Sequence, residues 1–214
     1  MLIAALAVGV CKLVSPKLGS LNLVLLPIIV GLGVGYIGTL TLPYVSMVTT
    51  GIGDLVNSFT GLQPFVASIL IAASFAIIVT SPISSVAIGM AIGLEGISSA
   101  AAGMGVTCAA TFLIFASARV NKKGVPIAIA LGGMKMMMKN FLTHPIIAIP
   151  LALTSAISVI SVPIFNMGGT AATAGFGAVG LVSPLAALNS SDIGIIGMIV
   201  FWIVVPLIAG FLVN

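Results

Sequence analysis

Glu95 is the residue that most limits what this chain can become. It closes the stretch Thr80–Gly96, TSPISSVAIGMAIGLEG, between Gly93 and Gly96, with about twenty apolar or small residues on either side, close to the length of a membrane span. A carboxylate is costly to bury in such surroundings. At the other end of the stretch Pro82 disfavours helix at Ser81, and a broken helix leaves backbone groups that need partners. In a membrane both are tolerated where they line a protein-enclosed or wet cavity. The stretch, with Ser84 and Ser85 just after the break, is therefore expected to be the substrate region of a transport protein.

Composition supports the same solvent. The chain is 60% hydrophobic and 5% charged, against roughly a quarter charged in soluble domains, and its mean hydropathy is +1.39. Its outer surface must be apolar as well as its core. The fold class expected is all-α: a polytopic integral membrane helical bundle, one domain over 1–214, with broken and re-entrant helices. The 25 glycines and 11 prolines suit close packing and interrupted spans. The net charge of +4 resides at membrane-facing ends and one short loop, so no nucleic-acid partner is expected. Cys11 and Cys108 both lie in apolar segments and read as small hydrophobes rather than a disulfide or metal pair.

Taken in order, Ala4–Val14 is a short apolar segment that Lys12, Ser15-Pro16 and Lys17 are expected to end. No basic residue precedes it, so no cleavable signal peptide is evident. Two readings stand: a short interfacial segment, or a fragment that lacks earlier N-terminal helices. Leu21–Leu42 is a full span whose Gly31 and Gly35 have the spacing that lets helices approach closely. Gly33-x-Gly35-x-x-Gly38 and Gly175-x-Gly177-x-x-Gly180 match a dinucleotide fingerprint by letter only, since neither follows a strand within a βαβ unit. Pro43–Gly61 is more polar and is expected to be a separate interfacial or re-entrant helix, with Asp54 either solvated or an ion ligand.

Spans over Pro64–Val79 and Ser98–Ala118 follow. Arg119, Lys122 and Lys123 then form a basic loop, 119–125, with no acid. The positive-inside rule places it in the cytoplasm. With Lys12 and Lys17 inside as well, the number of crossings balances only if the short Ile83–Leu94 segment counts as one. Pro126–Leu142 is expected to be an amphipathic helix with Lys135 and Lys139 on one face. Either both lysines snorkel to anionic headgroups, or one meets a phosphorylated substrate or a cytoplasmic partner.

That helix should stop at Thr143-His144-Pro145. Asn140 and His144 there are either structural donors or a polar pocket wall. Pro145–Ile164 and Ile193–Val213 are the last two spans, and the C-terminus returns to the cytoplasm. Between them, 166–192 is too apolar for a water-exposed loop and too rich in glycine for a straight helix, so a re-entrant hairpin is expected.

With three acids and one histidine, general acid–base chemistry has few candidates, and no catalytic residue, metal site or cofactor is assigned. Glu95, Ser84, Ser85, Asn140, His144, Asn166, Thr170 and Thr173 are the candidate substrate-binding residues. A neutral polyol would suit such a set, because a carboxylate and amides bind hydroxyls without a counter-charge. For Glu95 the alternative is a turn near the outer surface, which its glycine neighbours allow.

Three motifs carry a resemblance: Thr80–Ile88 (TSPISSVAI), Gly103–Ala110 (GMGVTCAA) and Met167–Leu181 (MGGTAATAGFGAVGL). On them the chain resembles, from about Leu21 onward, the membrane EIIC-like family of the bacterial phosphotransferase system, which includes perfringolysin regulator-type proteins. The resemblance implies a homodimeric permease of the bacterial inner membrane, taking up a sugar or related solute. It also implies phosphoryl donors on separate IIA and IIB proteins, since nothing here matches those domains. A membrane regulator or sensor, and an ion- or proton-coupled transporter using Asp54 or Glu95, are the alternative functions.

Overall fold

The computed structural model describes residues 2–18 and 22–214. Met1, the expected span start at Leu21 and the Lys17 side chain lie outside the described residues. Every regular element among the described residues is helical. Four of the helices, Leu25–Tyr44, Gly96–Ala118, Pro145–Ile164 and Gly194–Val213, are long and apolar enough to cross a membrane. The chain divides into two compact units, Met1–Thr49 and Thr50–Asn214.

In the first unit, α1 (Leu2–Leu18) runs through Ser15-Pro16 rather than ending there. Pro16 removes a helical hydrogen bond and crowds the carbonyl four residues before it, yet the helix runs two residues further. α2 (Asn22–Ile28) widens into a π-helical turn at Ile29–Val34 and continues as α3 (Gly35–Phe59), whose residues from Thr50 onward belong to the second unit. Gly38 meets α1, where a Cβ would lie 3.5 Å from the Ile3 side chain, whereas Gly31 and Gly35, the pair expected to allow a close approach, have nothing within 4 Å. The expected boundary at Pro43 is absent: α3 passes through it, with Thr41 and Ser46 hydroxyls bonded back to carbonyls of the preceding turn.

The second unit is built around α6 (Gly96–Ala118), whose span is 83% buried. From Gly96 to Thr111 its residues are mostly small, so neighbours can close in on that part. α4 (Pro64–Thr80) packs so closely that any side chain at Gly105 would strike the Ala72 backbone carbonyl. α9 (Ala148–Val159) with α10 (Ser161–Ile164), and α12 (Gly194–Ile199) with α13 (Val205–Val213), complete the bundle. A π-helical turn at Val200–Val204 joins the last two, absorbing the hydrogen bond that Pro206 cannot donate. It also carries Trp202 into the core beside Gly103.

The expected helix over Pro126–Leu142 is in fact three pieces: α7 (Gly124–Ala130), a 3₁₀ turn (Gly133–Met137) and α8 (Met138–Thr143). Gly132, at φ 109°, breaks it where Val179 and Ala128 press against the Gly132-Gly133 pair. Both lysines lie beyond this break, Lys135 half-buried in the 3₁₀ turn and Lys139 exposed on α8. α8 stops at His144, as Pro145 requires.

Candidate functional site

α4 ends at Thr80 because Pro82 holds Ser81 extended, at φ −86° and ψ 172°. Some of the groups freed there are satisfied locally. The Ser81 amide and hydroxyl both donate to the Ile78 carbonyl, at 3.0 and 2.7 Å. The others take a partner from far along the chain: Lys135 Nζ donates to the Ser81 and Ile83 carbonyls at 2.8 and 2.7 Å. Burial pushes the Lys135 pKa below its ordinary value.

The short helix α5 (Ser85–Ala91) then begins, capped by the Ser84 hydroxyl, which accepts from the Ala87 amide at 3.2 Å. It closes with a left-handed Gly93 at φ 62°. Leu94 and Gly93 amides reach back to the Gly89 and Met90 carbonyls at 3.1 and 3.3 Å, the paired bonds of a glycine-terminated helix.

Glu95 follows in extended conformation, and a left-handed Gly96 opens α6. Thr80 lines the same cavity as Ser117, near the end of α6, whereas Gly96 is its start. Residues 81–95 thus run back along a helix of 23 residues, about 34 Å long. A straight helix over 81–95 would reach only about 22 Å. The breaks on either side of α5 supply the missing length.

A second interrupted segment lies against the first. Gly96 and Gly169 exchange both backbone hydrogen bonds, at 2.9 and 3.1 Å. Further along, any side chain at Gly175 would collide with the backbone of Ser85 and Val86, and Ser85 Oγ donates to the Gly175 carbonyl at 2.9 Å. The chain then meets α6 at Gly177 and Ala178, whose amide donates to Thr107 Oγ1 at 2.9 Å.

It turns through left-handed Gly180 and Leu181 into α11 (Val182–Ser190) and comes back. Ser183 Oγ donates to the Thr173 carbonyl at 2.7 Å, and the Gly168 amide donates to Ser190 Oγ at 2.8 Å. Thr170 and Thr173 form a turn in which the Thr173 hydroxyl accepts from the Thr170 amide at 2.9 Å. Ser99 of α6 donates to the Thr170 carbonyl at 2.7 Å.

Between the two limbs of this second segment is an open cavity of about 480 Å³, with Gly169, Thr170, Thr173, Asn189 and Ser190 on its polar side and Val182, Leu185 and Ala186 on the other. None of these lining side chains is charged. Hydroxyls, one amide and nearby carbonyls can bind an uncharged polar group. No nucleophile–base pair lines the cavity, so the arrangement suits binding rather than covalent chemistry.

The candidate residues named from sequence fall in two places. Thr170 and Thr173 line this cavity. Glu95 precedes the Gly96 that pairs with Gly169, and is exposed with no capping bond. Asn166 is exposed and left-handed (φ 47°), just before the same segment. Ser85 is buried between the two segments, whereas Ser84 is exposed and acts as the cap.

Asn140 instead lines a cavity with Thr80 and Ser117, and His144 is exposed with its Nδ1 2.9 Å from Thr143 Oγ1. Asn189, Ser190, Ser99 and Thr107 were not among the candidates. The run Asn189-Ser190-Ser191 inside an apolar segment was the signal for the first two. Ser99 and Thr107 had none beyond being hydroxyls in an apolar span.

The family description "Phosphotransferase system, EIIC" matches residues 1–214, the whole chain. No match was found among curated proteins or among solved structures.

Proposed function

The chain belongs to the phosphotransferase-system EIIC family, and from that membership we propose that this multi-pass membrane protein is a permease that carries a sugar or related polyol through the cavity beside Thr170, Thr173 and Asn189. The observation that supports this reading is the backbone-to-backbone packing of two interrupted segments, 81–95 and 168–190, at Gly96–Gly169 and Gly175–Val86. Irregular backbone at membrane depth is tolerated where protein encloses it or water fills it, and broken helices are where transporters hold substrate. The second segment is read as a re-entrant hairpin. Glu95 and Asn166 stand at its mouth, where a carboxylate and an amide accept hydrogen bonds from hydroxyls.

Phosphoryl transfer would come from separate IIA and IIB proteins on the cytoplasmic side, and the working form would be a homodimer in the bacterial inner membrane. The Arg119 guanidinium donates to the Asn214 carbonyl at 3.3 Å, which supports a cytoplasmic C-terminal end beside the basic loop.

A thermal-shift screen of the purified protein against sugars, polyols and their phosphates tests the reading. A ligand at 100 times its dissociation constant stabilises the fold by about 2.7 kcal/mol. The expected result is a neutral sugar that stabilises the parent, loses its effect in Thr173→Val and Glu95→Gln, and keeps it in His144→Ala. Stabilisation that survives Thr173→Val and disappears in His144→Ala would place the site at the other end of the unit and reject this one.

A further inference from the structure

The end of α6 carries a second arrangement that the solute cavity does not use. Arg119, Lys122 and Lys123 are exposed there, in a loop without an acid. Beside the loop a cavity of about 200 Å³ is walled chiefly by Phe112, Leu113, Phe141 and Ile147, with Asn121 at its edge. A second hollow of about 190 Å³ shares Asn121 with the first and includes Lys123 and Ile127. The Asn121 amide donates to Ser117 Oγ at 3.1 Å.

The surface beside the hollows is strongly apolar: Val120 is 82% exposed, Ile146 70% and Ile127 60%. An apolar cavity of about 150 Å³ accommodates benzene, so this one has room for at least a six-carbon aliphatic segment. A sugar would lose its hydrogen bonds on such walls. A soluble acidic protein would meet the bases but leave the cavity and its apolar surround uncovered.

We propose that this is a binding site for one anionic phospholipid, its phosphate held by Arg119, Lys122 and Lys123 and an acyl chain seated in the Phe112–Phe141 cavity. Charge complementarity selects the headgroup and the cavity selects the chain. Arg119 uses one guanidinium N–H on Asn214 and keeps others for the phosphate. The lipid sits at the opposite end of α6 from the Thr170–Asn189 cavity, so the proposal stands independently of the solute reading.

Native mass spectrometry of the full chain in mild detergent, titrated with phosphatidylglycerol or with phosphatidylcholine of the same chains, tests it. A basic side chain near an anionic lipid contributes about fivefold in affinity, so three should favour phosphatidylglycerol by on the order of a hundredfold. Arg119→Gln/Lys122→Gln/Lys123→Gln should abolish that preference while leaving helical content and monodispersity unchanged. Ala116→Leu, which fills the cavity, should weaken binding of phosphatidylglycerol. A series from dihexanoyl to dipalmitoyl phosphatidylglycerol reads the same contact without a mutation, and should gain affinity with chain length. Equal binding of the two lipids, an unchanged preference in the triple variant, or affinity independent of chain length with full competition by inorganic phosphate would each overturn the proposal.

Discussion

Two stretches of this chain use the same punctuation to opposite ends. Ser81-Pro82 leads through a short helix to an acid, Glu95, and a left-handed Gly96 that opens a long helix. Ser183-Pro184 leads through a short helix to an acid, Asp192, and a left-handed Gly194 that opens another. In the first, the dipeptide ends a helix, because an uninterrupted apolar helix precedes it. In the second it lies in the first turn of a helix, because Gly180 and Leu181 have already turned the chain.

Their polar groups are satisfied differently. The first stretch carries its own Ser84 cap and glycine terminator, and looks outside chiefly to Lys135. The second takes its partners from α6, at Ser99 and Thr107, and from its own returning limb, at Ser190. Local caps fix a segment's ends through neighbours in sequence; distant partners fix its shape only in the assembled bundle.

That contrast can be broken most severely where the two stretches touch. Gly175→Leu forces a side chain into the Ser85–Val86 backbone, and we expect a loss of about 4 kcal/mol or more, seen as failure to purify as a folded species or a collapse of the melting temperature. Lys135→Met leaves the Ser81 and Ile83 carbonyls without their donor and should cost about 2–3 kcal/mol by thermal or denaturant unfolding.

The same residue has a pH signature. Its lowered native pKa means that the unfolded chain holds the proton more tightly. Parent stability should rise as pH climbs from that lowered value toward the ordinary 10.5, and the rise should be missing from Lys135→Met. Thr107→Val keeps the shape but strands the Ala178 amide, for about 1–2 kcal/mol, with faster hydrogen exchange in 168–181 and little change in 85–94. Ser84→Ala removes only an exposed cap, for about 1 kcal/mol, and exchange should quicken in α5 alone. If both variants loosened both stretches equally, the distinction between local and distant satisfaction would fail.

The same distinction governs what could be read beforehand. The break at Ser81-Pro82, the stop at His144-Pro145 and the ends of the later spans were legible, because proline and glycine act through their own dihedrals and their neighbours'. The α6 span was legible from length and hydropathy. The boundary expected at Pro43 was not realised: a helix of 25 residues continues through it although an interior proline costs about 3 kcal/mol. The amphipathic helix expected over Pro126–Leu142 failed at Gly132, where a left-handed turn ends α7 and little room is left for a side chain beside Val179, a residue far away in sequence.

The candidate polar residues were recognisable as costly in an apolar chain, but not which of them would meet. Thr170 and Thr173 face one cavity, while Asn140 and His144 stand elsewhere.

By itself the sequence determined the solvent, the helical class and most places where the helices break, for these depend on hydropathy and on backbone limits that act over a few residues. Only the tertiary structure decided that residues 81–95 run back along α6, that Gly175 rests on the Ser85–Val86 backbone, and that Lys135 closes the end of α4. Those outcomes depend on which surfaces small residues allow to touch, and a glycine records that it leaves room without recording for whom.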